Sequence, residues 1–129
     1  MSDFNDKFND LNNTTDTTSE YDPADIQSNK FMAILSYISW LVLVPLLAAK
    51  NSPFARFHAN QGLVLAIIDF AVGIALKILT AFPIVGIIFS IIGTIWAIAR
   101  FVLMIIGILN ACNGKAKELP LLGSIKILK

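Results

Sequence analysis

Acidic side chains almost vanish after residue 29, where the next hundred residues hold only Asp69 and Glu118. Cysteine is nearly absent too. Cys112 stands alone, which excludes an internal disulfide and a thiolate metal cluster. The N-terminus lacks the order of basic, apolar and small residues that marks a cleavable signal peptide, so the first apolar span is expected to act as an uncleaved anchor. From Phe31 to Ala49 no charge appears at all, and Lys30 and Lys50 close the run. A helix of that length covers about 30 Å, the hydrocarbon thickness of a bilayer. The expectation is an integral membrane protein.

What is present divides into two blocks. Residues 1–29 carry seven acids against Lys7, a net charge of −6, while residues 30–129 carry nine bases against two acids, a net charge of +7. An acidic tail repels phosphate backbones and the bases lie beside apolar segments, so no nucleic-acid partner is expected. The tail, rich in Asn, Thr and Asp, reads as disordered. Phe4, Phe8 and Leu11 fall at helical spacing and offer a short docking helix as the alternative. Asn13-Thr14-Thr15 matches a glycosylation sequon, relevant only on a eukaryotic secretory route.

Residues 30–129 read as a transmembrane domain with spans at about 30–49, 62–81 and 84–110. Ser28 or Asn29 is placed as the first cap, and Pro45 predicts a kink in the first span. Ser52-Pro53 predicts the second helix start, so that this helix runs to about Thr80 with its first turns in the headgroup layer. Phe82-Pro83 predicts a tight turn, and Gly114 a left-handed cap on the last helix. The fold class is thus all-α, an integral membrane three-helix bundle behind a disordered acidic N-terminal tail. Basic residues gather at the first loop and the C-terminus, which places both in the cytoplasm and the tail outside the cell membrane. The closing LPLLGSIKILK is too short to cross again and is expected on the cytoplasmic membrane face or under the bundle.

Three charges fall inside the spans: Asp69, Lys77 and Arg100. Each costs at least about 2.5–3.5 kcal/mol at membrane depth. Helical rise puts Asp69 and Arg100 at similar depth on antiparallel helices, which predicts a pair, while Lys77 snorkels to the opposite surface. A register-fixing pair outweighs a proton relay, which needs a longer chain of titratable groups. Gly86, Gly93, Arg100 and Gly107 recur at sevens, with Ser90 and Ala97 in a second row. Such small residues mark a helix-packing seam in lipid.

The most specific local signal is FARFHANQG. Phe54, Arg56, Phe57, His58, Asn60 and Gln61 form an interaction motif, polar where a membrane helix begins. One reading makes it a binding site for a partner or headgroup, tuned by histidine protonation. The other makes it an interfacial helix start whose amides satisfy the first loop and the helix ends. No catalytic, cofactor or metal residues are expected, and no enzyme activity, because no nucleophile–base pair or ligand set is visible.

The stretch NKFMAILSYISWLVLVPLLAAKNSPFARFHANQGLVLAI, with GKAKELPLLGSIKIL, resembles small bacterial multi-pass membrane proteins of uncharacterised function related to the chloroplast inner-envelope protein-import component. The resemblance covers about residues 29–128 and implies a multi-pass membrane fold. Preprotein import is the role of the plastid relatives. Some bacterial relatives carry a zinc ribbon before the first span, which implies a cytoplasmic N-terminus there. The functional expectation is an interaction or accessory component of the membrane, its partners the lipid bilayer and a membrane protein or a second copy. The alternative is a small ion or solute transporter or channel component using Asp69, Lys77 and Arg100.

Overall fold

The structure is a computed structural model that describes residues 14–126. Phe4, Phe8, Leu11 and the Asn13 of the sequon lie outside the described residues, as does the acidic stretch before Thr14. The described chain is helical: α1 (Pro23–Leu35), α2 (Leu43–Ala48), α3 (Pro53–Leu79) and α4 (Val85–Cys112), with short 3-10 turns at Thr18–Glu20 and Ser39–Val42.

Helices α3 and α4 form a long antiparallel hairpin, and both are long and apolar enough to cross a bilayer. Only 17% of the most apolar window of each is buried inside the molecule, whereas the core helix of a soluble protein would be mostly covered. Isoleucines such as Ile87, Ile91, Ile95 and Ile98 face outward along α4. Lipid is the medium that suits them. In α3 the last polar residue before the apolar run is Gln61 and that run starts at Leu63, so the crossing begins there and the preceding turns belong to the interface.

The helix ends follow from local chemistry. Ser52 Oγ accepts from Ala55 N at 3.1 Å, and Pro53 occupies the first turn, where its missing N–H costs nothing. The α4 terminus closes with Gly114 N on Ala111 O and Lys115 N on Asn110 O, a pair of bonds that requires the left-handed φ of +68° at Gly114. The turn at 80–84 separates the two long helices, with Ile84 at φ +59°.

The first apolar segment departs from expectation. Residues 30–49 are not one helix kinked at Pro45. Helix α1 stops at Leu35, Ser39 takes φ +46°, and the chain reverses through a 3-10 turn into α2. Helix α1 also begins earlier, at Pro23 rather than near Lys30, with Asp22 Oδ1 accepting from Ala24 N at 3.0 Å. Asp22-Pro23 is the same start signature as Ser52-Pro53. Asn29, offered as a cap, instead sits inside α1 with non-helical dihedrals and bonds Asp25.

Both ends of this segment meet the start of α3. Asp25 accepts from Ser52 Oγ at 2.5 Å and from Phe54 N at 2.9 Å, while Ala49 hydrogen-bonds directly to Ser52. A carboxylate at a helix N-terminus is favoured by the exposed N–H groups and the helix dipole. Residues 23–52 therefore begin and end beside the same helix terminus as a re-entrant hairpin, and among the described helices two, α3 and α4, are long and apolar enough to span the full width. Thr17 N bonds Ala116 O at 3.0 Å, and Glu118 N bonds Thr15 O at 3.0 Å. Residues 14–29 are thus ordered against the C-terminal loop, and share its side. The expected placement of the tail opposite the C-terminus counted residues 30–49 as one crossing helix, and the breaks after Leu35 and at Ser39 leave no such helix. Cysteines introduced at Ser19 and Ser124 should label from the same side of sealed vesicles. Labelling from opposite sides would restore the third crossing.

Candidate functional site

The polar residues of FARFHANQG turn inward. Phe54, His58, Asn60 and Gln61 are buried, and Phe57 and Arg56 are partly covered. Gln61 clamps the C-terminal loop from both ends of its amide: Oε1 accepts from Leu119 N at 2.8 Å, and Nε2 donates to Gly123 O at 3.1 Å. Asn60 Nδ2 donates to Ile125 O at 3.1 Å. His58 Nε2 lies 2.9 Å from the Lys115 carbonyl, which can only accept, so the ring donates there. Its Nδ1 is then free to accept from Tyr37 O–H at 2.5 Å. Loop residues 115–125 form no long helix and satisfy only part of their own backbone, so side chains of α3 take Leu119 N–H and the carbonyls of Lys115, Gly123 and Ile125.

His58 sits ahead of the crossing and is fully enclosed by Phe54, Phe57 and Tyr37. Burial holds its imidazole down to about 4, against an ordinary 6.5, and the Lys115 carbonyl offsets only part of this. The ring is neutral at physiological pH. Protonation tuning of an exposed site is therefore replaced by a neutral structural bridge. His58, Asn60 and Gln61 are thus hydrogen-bonded within the chain, while Arg56, Phe57 and Asn60 also border a cleft of about 630 Å³.

A second constellation lies higher in the hairpin. Asp69 Oδ1 accepts from Trp96 Nε1 at 2.9 Å, and Arg100 Nη1 stands 3.5 Å from Asp69 Oδ2. The side chains remain 46% (Arg100) and 35% (Asp69) exposed, so this pair is not sealed in the bundle. Beside it opens a cleft of about 270 Å³, bounded by Tyr37 and Trp40 of the re-entrant tip and by Phe70 and Phe101 of the hairpin. Lys77 lies exposed in the last turn of α3.

The expected packing seam is split. Gly107 lies under the Tyr37 ring, Gly86 packs on the Thr80 carbonyl, and Gly93 touches Leu76. Ser90 and Ala97 are exposed, and Gly73 on α3 has open space where a Cβ would stand. The reason is the re-entrant turn: α1 fills the groove between α3 and α4 only as far as Gly62 and Gly107, then reverses. Sequence reasoning missed Asp25 as the group that caps α3, and the signal was Asp22-Pro23. Among the described residues no group of three or more His, Cys, Asp or Glu side chains gathers as metal ligands would.

A family model described as the magnetosome magnetite crystal formation protein family matches residues 28–128. The chain belongs to that family. It is 33% identical to a UPF0132 membrane protein of Methanocaldococcus jannaschii over 92 residues, 71% of this chain and 60% of the relative. It is 56% identical to the magnetosome protein MmsF of Paramagnetospirillum magneticum over 34 residues, 26% of this chain and 32% of that one. The chain spans less than two thirds of the length of these curated relatives. No solved structure matches. Membership in a family of small membrane proteins agrees with the helical hairpin, and these matches carry no relation to plastid import.

Proposed function

We propose that this chain is an accessory protein of the membrane, acting through contacts between its α3–α4 hairpin and a transmembrane helix of another protein. The observation that carries the reading is the row of uncovered small residues above the re-entrant tip: Gly73, Ser90 and Ala97. In lipid, helices associate by close backbone approach, and small residues permit it. Asn60 and Gln61 of the polar motif already bond the C-terminal loop, which supports reading the hairpin as the contact surface.

The family description would bring magnetite crystal formation to this chain as well. An accessory role covers that case, since a component that organises membrane proteins serves a mineral-forming compartment as readily as a plain membrane. An import role has no residue here to carry it and forms no part of the proposal. A photo-crosslinking residue at Ser90 or Ala97 should yield protein adducts in native membranes, while one at Ile88, exposed on the opposite face of α4, should yield lipid. Lipid capture alone from all three positions would end this reading.

A further inference from the structure

The cleft beside Asp69 and Arg100 has a composition that membrane packing does not require. Asp69 is six residues beyond Leu63, so it lies about 9 Å below the level at which the apolar run of α3 begins. At that depth water is scarce, yet both charged side chains remain substantially uncovered. Arg100 has five N–H donors, and its one contact among the described side chains is the 3.5 Å approach to Asp69. Asp69 keeps acceptor capacity on Oδ2 after Trp96 has taken Oδ1. The pair therefore presents donors and an acceptor to the same space.

The walls are aromatic. Tyr37, Trp40, Phe70 and Phe101 border the cleft, with Trp40 and Phe70 edge-on at 6.3 Å. Flat rings pack well against such edges and faces. A volume near 270 Å³ holds one substituted six-membered ring but not a phospholipid head with its glycerol. Depth argues the same way, because a phosphate would have to sink well below the hydrocarbon boundary to reach Arg100. A polar head that naturally dwells at this depth carries no net charge.

We propose that the cleft binds a membrane-dissolved amphiphile of the quinone class, whose ring oxygens accept from Arg100. In the hydroquinone form a ring hydroxyl donates to Asp69. The ring lies among Tyr37, Trp40, Phe70 and Phe101, and the isoprenoid tail leaves along the apolar face of the hairpin. The site is separate from the small-residue row proposed for protein contacts, so either proposal survives failure of the other.

The chain's two tryptophans report directly on this site: Trp40 borders the cleft and Trp96 holds Asp69. Full-length protein in vesicles should be titrated with a benzoquinone carrying one isoprenoid unit, following tryptophan quenching. Saturable quenching near one equivalent is expected, weakened about tenfold in Arg100→Gln, a loss equivalent to about 1.4 kcal/mol. Lys77→Gln, remote from the cleft, should bind as the parent does. Ala66→Leu fills the cleft from its α3 wall without touching the charges, and should abolish saturation. Quenching that rises linearly with quinone in the parent protein would reflect partition into lipid alone and overturn the proposal. So would saturation that persists in Ala66→Leu, or a copurified phospholipid that quinone fails to displace in native mass spectrometry.

Discussion

Gly62→Ala is expected to prevent the re-entrant hairpin from docking. A Cβ at this position would lie 1.7 Å from the Ser36 carbonyl oxygen and 2.6 Å from its carbon. Both are backbone atoms at the end of α1, so no rotamer change relieves the overlap. Alanine gains about 1 kcal/mol of helix propensity over glycine, but overpacking of a closed contact costs about 1–3 kcal/mol or more. At this separation the cost belongs at the upper end, and the end of α1 must move away from α3. The expected result is a lower thermal transition in detergent and faster proteolysis within residues 36–49. Gly73→Ala is the control, because nothing stands within 4 Å of its added carbon. If the two variants melt together, α1 is not seated on Gly62.

Gln61→Leu should release the C-terminal loop. Leucine preserves most of the buried volume but removes both halves of the amide clamp. Leu119 N–H is then left without its partner, at about 1–3 kcal/mol for a buried group, while Gly123 C=O keeps only the donation from Lys126 Nζ at 3.0 Å. Trypsin should cut after Lys115, Lys117 and Lys126 markedly faster than in the parent protein. Gln61→Glu provides an intermediate case: it keeps an acceptor for Leu119 and loses the donor to Gly123. Equal cleavage of all three proteins would mean that the loop is held by other contacts.

The two long helices were legible because each has a chemical start or stop in its own residues. Ser52-Pro53, the 80–83 break and Gly114 act within one turn of chain, and the structure places the ends of α3 and α4 there. The first segment misled for the opposite reason. Nothing in FMAILSYISWLVLVPLLAA has to reverse at Ser36–Ser39. The reversal depends on Gly62 and Gly107 accepting Ser36 and Tyr37, residues distant in the chain. Length alone suggested a crossing, while Asp22-Pro23 marked a helix start inside what composition labelled a tail. For the polar motif, residue types pointed to an interface, but not to what they would hold. Loop 115–125 needs partners for its backbone, and that need appears only once the hairpin brings both ends of the chain together.

The uncharged turn at residues 80–84 has a consequence for biogenesis. It is the part of the described chain that must travel to the far side, and Thr80, Ala81, Phe82, Pro83 and Ile84 bring no formal charge with them. The hairpin can therefore be pushed into a bilayer as a closed wedge, with no hydrophilic passenger to export. The segments before α1 and after α4 pair with each other, so assembly of the Gln61 clamp requires neither to be separated from the other by the bilayer.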